Sequence, residues 1–433
     1  MAKLILGLVR ANTHTMAKSR LMKSAKLNTA QITATCAATC PACGLLCDDI
    51  VLEITNHKLK VVNPNCAITV TFFEQSLGEN TPQIAGKSAT LTEAVAKVAE
   101  ILKHAKQPLF SGLSTDVAGF RVLFKLAQKT NAILQHMNAQ SMARNLKVLQ
   151  STGWQTTTLT EVKNRAEVIV CFGDIAAHNP RFFERFIDCD GMFVEAKNRH
   201  VIMFNNALNK HIIKSNATGL KHSSASLQAA WILPCRADDL PSITMALRAL
   251  VAGKALKATE IAGIKVSDLQ TVADKLKQAK YAVLTWVAKD LDFPHAELTI
   301  QNITETVTNL NKTTRAAALP LGGSDGDTSA NNAHTWLSGL ALNDEHTEHD
   351  LMIWVNSFST EKKPPQTDKP LIIFGNSNID CKADVFIPIA TPGLDCSGTL
   401  FRVDSSVILP LKKVRENNLP TLSEVVNEIE KLL

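Results

Sequence analysis

The sequence TCPACGLLCDDI, residues 39–50, sets the organisation of the chain. Three cysteines lie within this stretch and a fourth follows in the segment PNCAI: Cys40, Cys43, Cys47 and Cys66. One tight loop can present three thiolates at a small entropic cost of loop closure, and four thiolates suit an iron–sulfur cluster. Zinc sites usually contain paired C-x2-C units, and only one such unit is present, so iron–sulfur is favoured over zinc. The alternative is a group of buried cysteines that act as small apolar residues.

The composition is that of a large globular protein. The chain has 433 residues, of which 45% are hydrophobic and 20% are charged, so it can bury an extensive core in about two or three domains. No apolar run approaches the roughly 18 residues of a membrane span, and we expect a soluble, cytoplasmic protein. The other six cysteines are scattered, which favours reduced thiols over a disulfide framework. They are Cys36, Cys171, Cys189, Cys235, Cys381 and Cys396.

The net charge of +6 arises in the first 35 residues, which contain six Lys or Arg and no Asp or Glu. Residues 36–433 therefore carry no net charge, and nothing in the charge balance supports nucleic-acid binding. We expect residues 1–35 to form a disordered basic leader. Its composition is superficially that of a transit peptide, and translation starting at Met16 or Met22 is an alternative.

Beyond the cysteine motif, helix and strand patterns alternate along the chain. IVLEI (50–54) and KLKVV (58–62) predict a small hairpin around Asn56-His57. Thr90 and Glu93 form a capping box that predicts a helix start. The apolar run VIVCF (168–172) is typical of a strand covered on both faces. Repeated alternation of this kind predicts an α/β fold with parallel sheets.

The order of these patterns predicts a small unit, a discontinuous α/β domain and an α/β domain inserted into it. We place the cysteine-motif unit at 36–88, the discontinuous domain at 89–139 and 266–411, the inserted domain at 140–265, and a C-terminal helix at 412–433.

Several segments together resemble known protein families. The segment CPACGLLCDDI with Cys66 resembles the cluster motif in the B subunits of formylmethanofuran dehydrogenases, and residues 158–186 resemble the segment of those subunits that faces a pterin nucleotide. Residues 383–407 resemble the ADV-x-L-P-x-A segment of molybdopterin oxidoreductases, and residues 319–340 are similar to B subunits of bacterial formyltransferase/hydrolase complexes. The resemblance extends from about Cys40 to Leu411.

The resemblance implies a fold and a set of partners. The fold would be that of molybdopterin oxidoreductases such as formate dehydrogenase (domains 1–3), with two Rossmann-like α/β layers behind the cysteine unit. The four cysteines of the motif would ligate a [4Fe-4S] cluster. The partners would be the other subunits of a formyltransferase/hydrolase complex. Formyl transfer from tetrahydromethanopterin, hydrolysis to formate and contact with methylofuran would take place through those subunits, in one-carbon oxidation of formaldehyde.

One departure from the family decides between a redox and a non-redox subunit. The dehydrogenases ligate tungsten or molybdenum through a cysteine or selenocysteine in a Cys-His-Gly-Pro-Ser-like segment. The matching residues 136–150, HMNAQSMARNLKVLQ, contain no Cys, Gly or Pro, and Ser141 is a poor substitute for a thiolate. We therefore expect no molybdopterin or tungstopterin and no catalytic residue in this chain. The alternative function is the catalytic subunit of a tungsten or molybdenum formylmethanofuran dehydrogenase.

The loop at 173–180 and the loop at 322–327 depart from ligand-binding patterns. The loop after strand 168–172 carries Asp174, whose charge would repel a nucleotide phosphate. The next two arginines are Arg181 and Arg185. We interpret them as an exposed helix face, although they could offset the charge of Asp174 or bind another anion. In the loop GGSDGD (322–327), two aspartates favour a turn or an interface over a phosphate cradle. We expect Asp48 and Asp49 to accept backbone N–H groups in a turn, and His334 to be a satisfied interior or interface histidine.

Overall fold

The structure is a computed structural model that describes residues 33–55, 58–64, 66–205, 224–342, 348–380 and 382–433. The predicted basic leader lies outside these residues except for 33–35, as do the Asn56-His57 turn and Cys381. Residues 33–35 begin the strand Thr33–Ala38, so the predicted disorder does not extend to residue 35. Within the described ranges, no helix has the length and apolarity needed to cross a membrane.

The N-terminal unit is a three-stranded antiparallel sheet with strands Thr33–Ala38, Ile50–Thr55 and Lys58–Asn63. The predicted hairpin is confirmed, because the second and third strands pair antiparallel on either side of residues 56–57. The cysteine loop, residues 40–47, connects the first two strands. The helix Ala67–Phe73 follows Cys66 and was not predicted.

A seven-stranded sheet forms the first α/β layer. Its four central strands, 108–114, 351–356, 371–375 and 385–388, are parallel, as is the edge strand 133–136. A short antiparallel hairpin closes the other edge. The strands in spatial order are Lys87–Ser88, Gln83–Ile84, Val385–Pro388, Leu371–Gly375, Leu351–Asn356, Pro108–Ser114 and Ile133–His136.

Three helices cover one face of this sheet through a continuous apolar core. They are Leu91–His104, Val117–Thr130 and Leu422–Leu432. The predicted capping box is present, since Thr90 Oγ1 accepts from Glu93 N and Glu93 Oε2 accepts from Thr90 N. The first and last of these helices therefore begin where local sequence signals place them, because Thr421 and Glu424 form a second capping box.

A five-stranded, fully parallel sheet forms the second α/β layer. Its strands in spatial order are Trp231–Pro234, His200–Asn205, Val168–Phe172, Ala282–Val287 and Ala316–Leu321. The predicted boundary at residue 265 is corrected, because strands 282–287 and 316–321 pair within this sheet and not with the seven-stranded one. The inserted layer thus continues to residue 321. Alternating patterns predict strands but do not identify the sheet that each strand joins.

The remaining helices surround the five-stranded sheet and the junction of the two layers. Their bounds are Ala139–Ser151, Leu159–Arg165, Ile175–His178, Phe182–Phe186, Ala225–Gln228, Leu240–Val251, Val266–Gln278, Glu297–Leu310 and Asp327–Ser338. Short 3-10 turns occur at Ala196–Asn198, Ala237–Asp239, Ala288–Asp290 and Ser324–Gly326. Small antiparallel pairs join Glu260–Ile261 to Ile264–Lys265 and Gly398–Phe401 to Ile408–Leu411.

Candidate functional site

The structure gathers the four predicted cysteine ligands into one buried group. Cys40, Cys43, Cys47 and Cys66 are each 7% exposed or less. The cysteine loop is closed by a hydrogen bond from Cys40 N to Cys47 O (2.9 Å). Thr69 Oγ1 lies 3.5 Å from Cys40 Sγ and donates to it. Among the described residues, no group of three or more His, Cys, Asp or Glu side chains is placed so as to hold a metal ion.

Burial keeps the thiols of Cys40 and Cys43 protonated in the absence of metal. It raises the pKa of Cys40 to about 12, with a further contribution from the neighbouring Cys47. Burial and the same neighbour raise the pKa of Cys43 well above its usual range. A cluster bound here would displace these protons, and four thiolates are the donor set that an iron–sulfur cluster requires, although the four thiols do not converge on one metal position in this structure. A core of neutral thiols is equally compatible with the packing, because three of them lie within a larger apolar cluster.

The two aspartates after Cys47 bind arginines and are not simple turn residues. Arg181 donates to Asp49 Oδ1 and Oδ2, both at 2.7 Å, and to Glu184 Oε1 at 2.7 Å. Arg185 donates to Asp48 Oδ1 at 2.7 Å. The predicted exposed helix face is wrong for Arg181, whose side chain is only 3% exposed. Both arginines fix the cysteine loop to the helix Phe182–Phe186.

The loop after strand 168–172 is filled by a carboxylate of the chain itself. Asp290 Oδ2 accepts from Asp174 N at 2.7 Å, and Asp290 Oδ1 lies 2.6 Å from His178 Nε2. A Cβ placed on Gly173 would lie 2.6 Å from Asp290 Oδ2. The backbone N–H of Asp174, which a phosphate would need as a donor, is therefore already hydrogen-bonded to Asp290.

Loops that follow strands of both sheets meet in a second polar group, which we call the cleft cluster: His136, Asn138, Lys289, Asp325 and Lys362. His136 Nε2 lies 3.2 Å from Asp325 O, and Asn138 N donates to His136 Nδ1 at 3.0 Å. Asp325 forms ion pairs with Lys289 (3.7 Å) and, more closely, with Lys362. In parallel α/β proteins this edge, beyond the carboxyl ends of the strands, is where ligands bind.

The negative charge in the cleft cluster is compensated by its two lysines. Burial alone would raise the pKa of Asp325, but Lys362 and Lys289 outweigh it and hold that pKa below its usual value. Burial lowers the pKa of Lys289 and also that of His136, which is therefore neutral at pH 7. Ser141 Oγ donates to Asn138 O at 2.9 Å, so it shares in the same local network.

The glycine loop 322–327 joins the cleft cluster to the cysteine loop. A Cβ on Gly323 would lie 2.7 Å from Gly44 Cα, so the two loops touch at glycines. The buried Asn179 donates through Nδ2 to Cys43 O (2.8 Å) and to Gly322 O (3.4 Å). The predicted turn is present, and its Asp325 binds the two lysines of the cleft cluster.

Sequence reasoning missed four residues of this region: Asn179, Lys289, Asp290 and Lys362. Lys289 and Asp290 lie in the short turn that follows strand 282–287. Their position at the carboxyl end of a predicted parallel strand could have identified them as candidate site residues. Lys362 lies in the connection between two strands and carried no local signal. His334 is half-buried and its Nδ1 lies 2.8 Å from Leu340 O, so it has a partner within the chain, and the expectation of an interior or interface position stays a prediction.

Comparison with known proteins gives two groups of relatives, although no protein-family model matches the chain. The chain is 26% identical to the B subunit of tungsten-containing formylmethanofuran dehydrogenase 2 from Methanococcus maripaludis, over 91% of this chain and 96% of that protein. It is 24% identical to the protein of the same name from Methanocaldococcus jannaschii, over 87% and 92%. It is also 31% identical over 91 residues to the B subunit of the Fhc formyltransferase/hydrolase complex of Methylorubrum extorquens, which is 21% of this chain and 25% of that protein.

A solved structure shares the fold. One chain in the crystal structure of the formyltransferase/hydrolase complex FhcABCD from Methylorubrum extorquens, determined with methylofuran, matches with a TM-score of 0.65 at 21% identity, over 81% of this chain and 98% of that chain. The predicted resemblance to the B subunits of formylmethanofuran dehydrogenase and of the formyltransferase/hydrolase complex is thereby confirmed. The chain has a mixed α/β fold with parallel sheets, similar to one chain of that complex.

Proposed function

We propose that this chain is a non-redox B-type subunit of a formyltransferase/hydrolase complex and that its main role is to hold partner subunits together. The complex would work in tetrahydromethanopterin-linked oxidation of formaldehyde to formate, in the cytoplasm. Similarity to B subunits along most of the chain supports the assignment. The assignment of the two layers to the molybdopterin-oxidoreductase fold belongs to the same proposal.

The proposal that the subunit has no redox function rests on the hydrogen bonds within the cleft cluster, where polar side chains bind one another. Where the resembling dehydrogenases place a metal-binding thiolate, this chain has His136, Asn138 and Ser141. Asn138 Nδ2 donates to Asp327 Oδ2 at 3.1 Å and to Ser324 O at 3.2 Å. A metal that cycles through oxygen transfer requires a soft anionic ligand and open coordination, and these neutral, hydrogen-bonded side chains supply neither.

The loop at Gly173 also supports a subunit without a pterin, because it is poorly suited to bind the phosphate of a pterin nucleotide. Asp290 accepts the Asp174 N–H, and Asp174 adds a second carboxylate to the loop. Burial raises the pKa of Asp174, with Asp290 adding to the shift, as expected for crowded negative charge. A nucleotide phosphate would have to displace one carboxylate and lie beside another.

The four cysteines keep their predicted role as ligands of a [4Fe-4S] cluster, with a metal-free thiol core as the alternative. Their shared burial and mutual proximity support a common function. A broad visible absorbance that bleaches with dithionite and disappears in Cys43→Ser would identify the cluster. Its absence from complex prepared without oxygen would identify the thiol core.

The scaffold role is tested by producing the partner subunits with and without this chain and measuring hydrolysis of formyl-methylofuran. We expect the partners to lose assembly and most of their activity when the chain is omitted. Assembly and turnover at full rate without it would contradict the scaffold role. Loss of catalysis in Cys43→Ser with assembly intact would instead assign a chemical role to the chain.

A further inference from the structure

The helix Asp327–Ser338 exposes a large apolar surface at its carboxyl end. Trp336 is 64% exposed, Leu340 just beyond the helix is 66% exposed, and Leu337 is also exposed. We call these three residues the tryptophan patch. The sequence TSANNAHTWLSGLAL (328–342) contains no Asp, Glu, Lys or Arg. The solvent face of a surface helix normally carries charged and polar residues, so solvent is not the expected neighbour of this patch.

One cation lies over the tryptophan patch. Arg121, on the helix Val117–Thr130, has its guanidinium carbon 5.8 Å from the centre of the Trp336 ring. Lys125, one turn further along that helix, pairs with Glu430 at 2.8 Å, whereas Arg121 has no ion pair among the described residues. The centres of protein–protein interfaces are enriched in aromatic residues and Arg and depleted of other charged residues. The tryptophan patch with Arg121 has this composition.

The apolar surface continues from the helix to a neighbouring hairpin. Asn332, on the same helix, donates through Nδ2 to Ser405 Oγ at 2.9 Å. Ser405 lies in the hairpin of residues 398–411. That hairpin adds two exposed apolar side chains, Val407 and Ile408. Stable interfaces bury roughly 800 Å² per partner, which is more than three side chains supply, so a protein bound to the patch would also cover this hairpin.

We propose that the tryptophan patch is the docking site of a partner subunit that contributes an apolar segment flanked by carboxylates. Apolar side chains of that segment would pack on Trp336 and Leu340, and a carboxylate would pair with Arg121. The proposal rests on the scaffold role and specifies where one partner binds and through which chemistry.

Charge favours such a partner over a second copy of the chain and over a lipid surface. In a two-fold contact the same patch meets itself, and the patch offers a cation but no acidic residue that the cation could meet. Attachment to anionic lipid uses clusters of about four to eight Lys or Arg, whereas Arg121 is a single cation. One carboxylate from a partner would match it.

The test uses the natively produced complex, diluted stepwise and weighed by mass photometry. The measured quantity is the concentration at which half of the complexes have lost a subunit. Trp336→Ala should raise it about thirtyfold, as for an interface hot spot, and Leu340→Ser about tenfold. Leu298→Ser is the matched control, since Leu298 is 53% exposed on another helix, Glu297–Leu310, and it should change nothing. No effect of Trp336→Ala, or equal effects of the two Leu→Ser variants, would overturn the proposal.

Photo-cross-linking within the complex identifies what covers the patch. With p-benzoylphenylalanine in place of Leu340, we expect a cross-linked peptide from another subunit that contains Asp or Glu beside apolar residues. A cross-link to a second copy, to the chain itself or to no protein would overturn the proposal. Flotation of the complex with vesicles of equal parts phosphatidylglycerol and phosphatidylcholine, lost in Trp336→Ala, would also overturn it. The scaffold role fails separately, by assembly of the partners when the chain is omitted.

Discussion

The cysteine loop contacts the glycine loop and the cleft cluster includes one of its residues, Asp325, and the two regions are stabilised in different ways. In the cysteine loop, three buried thiols are packed in an apolar core, and charge is confined to the flanking pairs of Asp48 and Asp49 with arginines. In the cleft cluster, the buried Asp325 is itself charged, and it pairs with two lysines.

Under the proposed function, this difference separates a kept ligand set from a replaced one. The chain has all four cysteines that the resemblance implies, and burial is the main cause of the raised pKa of Cys40 and of Cys43. At the cleft, where the resemblance implies a metal thiolate, the side chains of Asn138 and Ser141 are hydrogen-bonded within the chain. The proposed function requires this difference: internal contacts at the cleft, and cysteines of the motif that are also part of the core.

The largest effect is expected from Arg181→Ala, which tests how the cysteine loop is attached. The substitution removes a buried guanidinium that binds Asp49 bidentately and also binds Glu184, together with its packed stem. We expect the free energy of unfolding to fall by about 3 kcal/mol, measured by urea denaturation. Lys97→Ala, which removes an exposed pair with Glu100, should cost less than about 0.5 kcal/mol. Equal losses in the two variants would contradict the anchoring role of Arg181.

A smaller effect is expected from Gly323→Ala, which tests the contact between the two regions. Gly323 has φ +84°, and the new Cβ would lie 2.7 Å from Gly44 Cα. Backbone strain and overpacking together should cost about 2–3 kcal/mol. Gly253→Ala is the matched control, since Gly253 has φ +77° but nothing within 4 Å of its added Cβ. The control should lose only the free energy of the backbone strain, about 1 kcal/mol. A similar loss of stability in both variants would mean that the contact between Gly323 and Gly44 does not contribute.

The smallest effect is expected from Asp325→Asn, which tests charge compensation in the cleft cluster. Asn keeps the shape but removes the counter-charge of Lys289 and Lys362, and we expect a loss of about 1–2 kcal/mol near pH 7. The pKa of Asp325 is held below its usual 3.8 in the folded chain. Its stabilisation is therefore present above pH 3.8 and is lost as pH falls through the folded-state pKa.

The pH dependence gives the control for this last prediction. Urea midpoints of wild type and Asp325→Asn, measured from pH 7 down to about pH 3.5, should begin to converge near the lower limit. A constant difference over the whole range would mean that the charge of Asp325 has no part in the effect. Glu100→Gln, at an exposed pair, should differ from wild type by less than about 0.5 kcal/mol.

Local patterns predicted the parts of the fold that depend on neighbouring residues. The capping box at Thr90, the strand 168–172 and the grouping of the four cysteines all rest on short-range spacing, and the structure contains each of them. The sheet membership of strands 282–287 and 316–321 was wrong because strand 282–287 joins the five-stranded sheet through strand 168–172, where Ala282 pairs with Val168, 114 residues earlier in the chain. Strand 316–321 then pairs with strand 282–287.

The same limit applies to the candidate site. Arg181 was predicted to be exposed because its own helix gives no sign of a carboxylate contributed from residue 49. The cleft cluster draws Lys289, Asp325 and Lys362 from separate loops, so no spacing in the sequence unites them. The absence of a thiolate in residues 136–150 was predictable, whereas the side chains that fill its place were visible only in the folded chain.

The central claim is tested most directly by elemental analysis of the natively produced complex that contains this chain. The account predicts tungsten and molybdenum far below one atom per chain, because the cleft offers no thiolate and the nucleotide loop is filled by Asp290. Either metal at close to one atom per chain would contradict the account and would support the alternative of a catalytic formylmethanofuran dehydrogenase subunit.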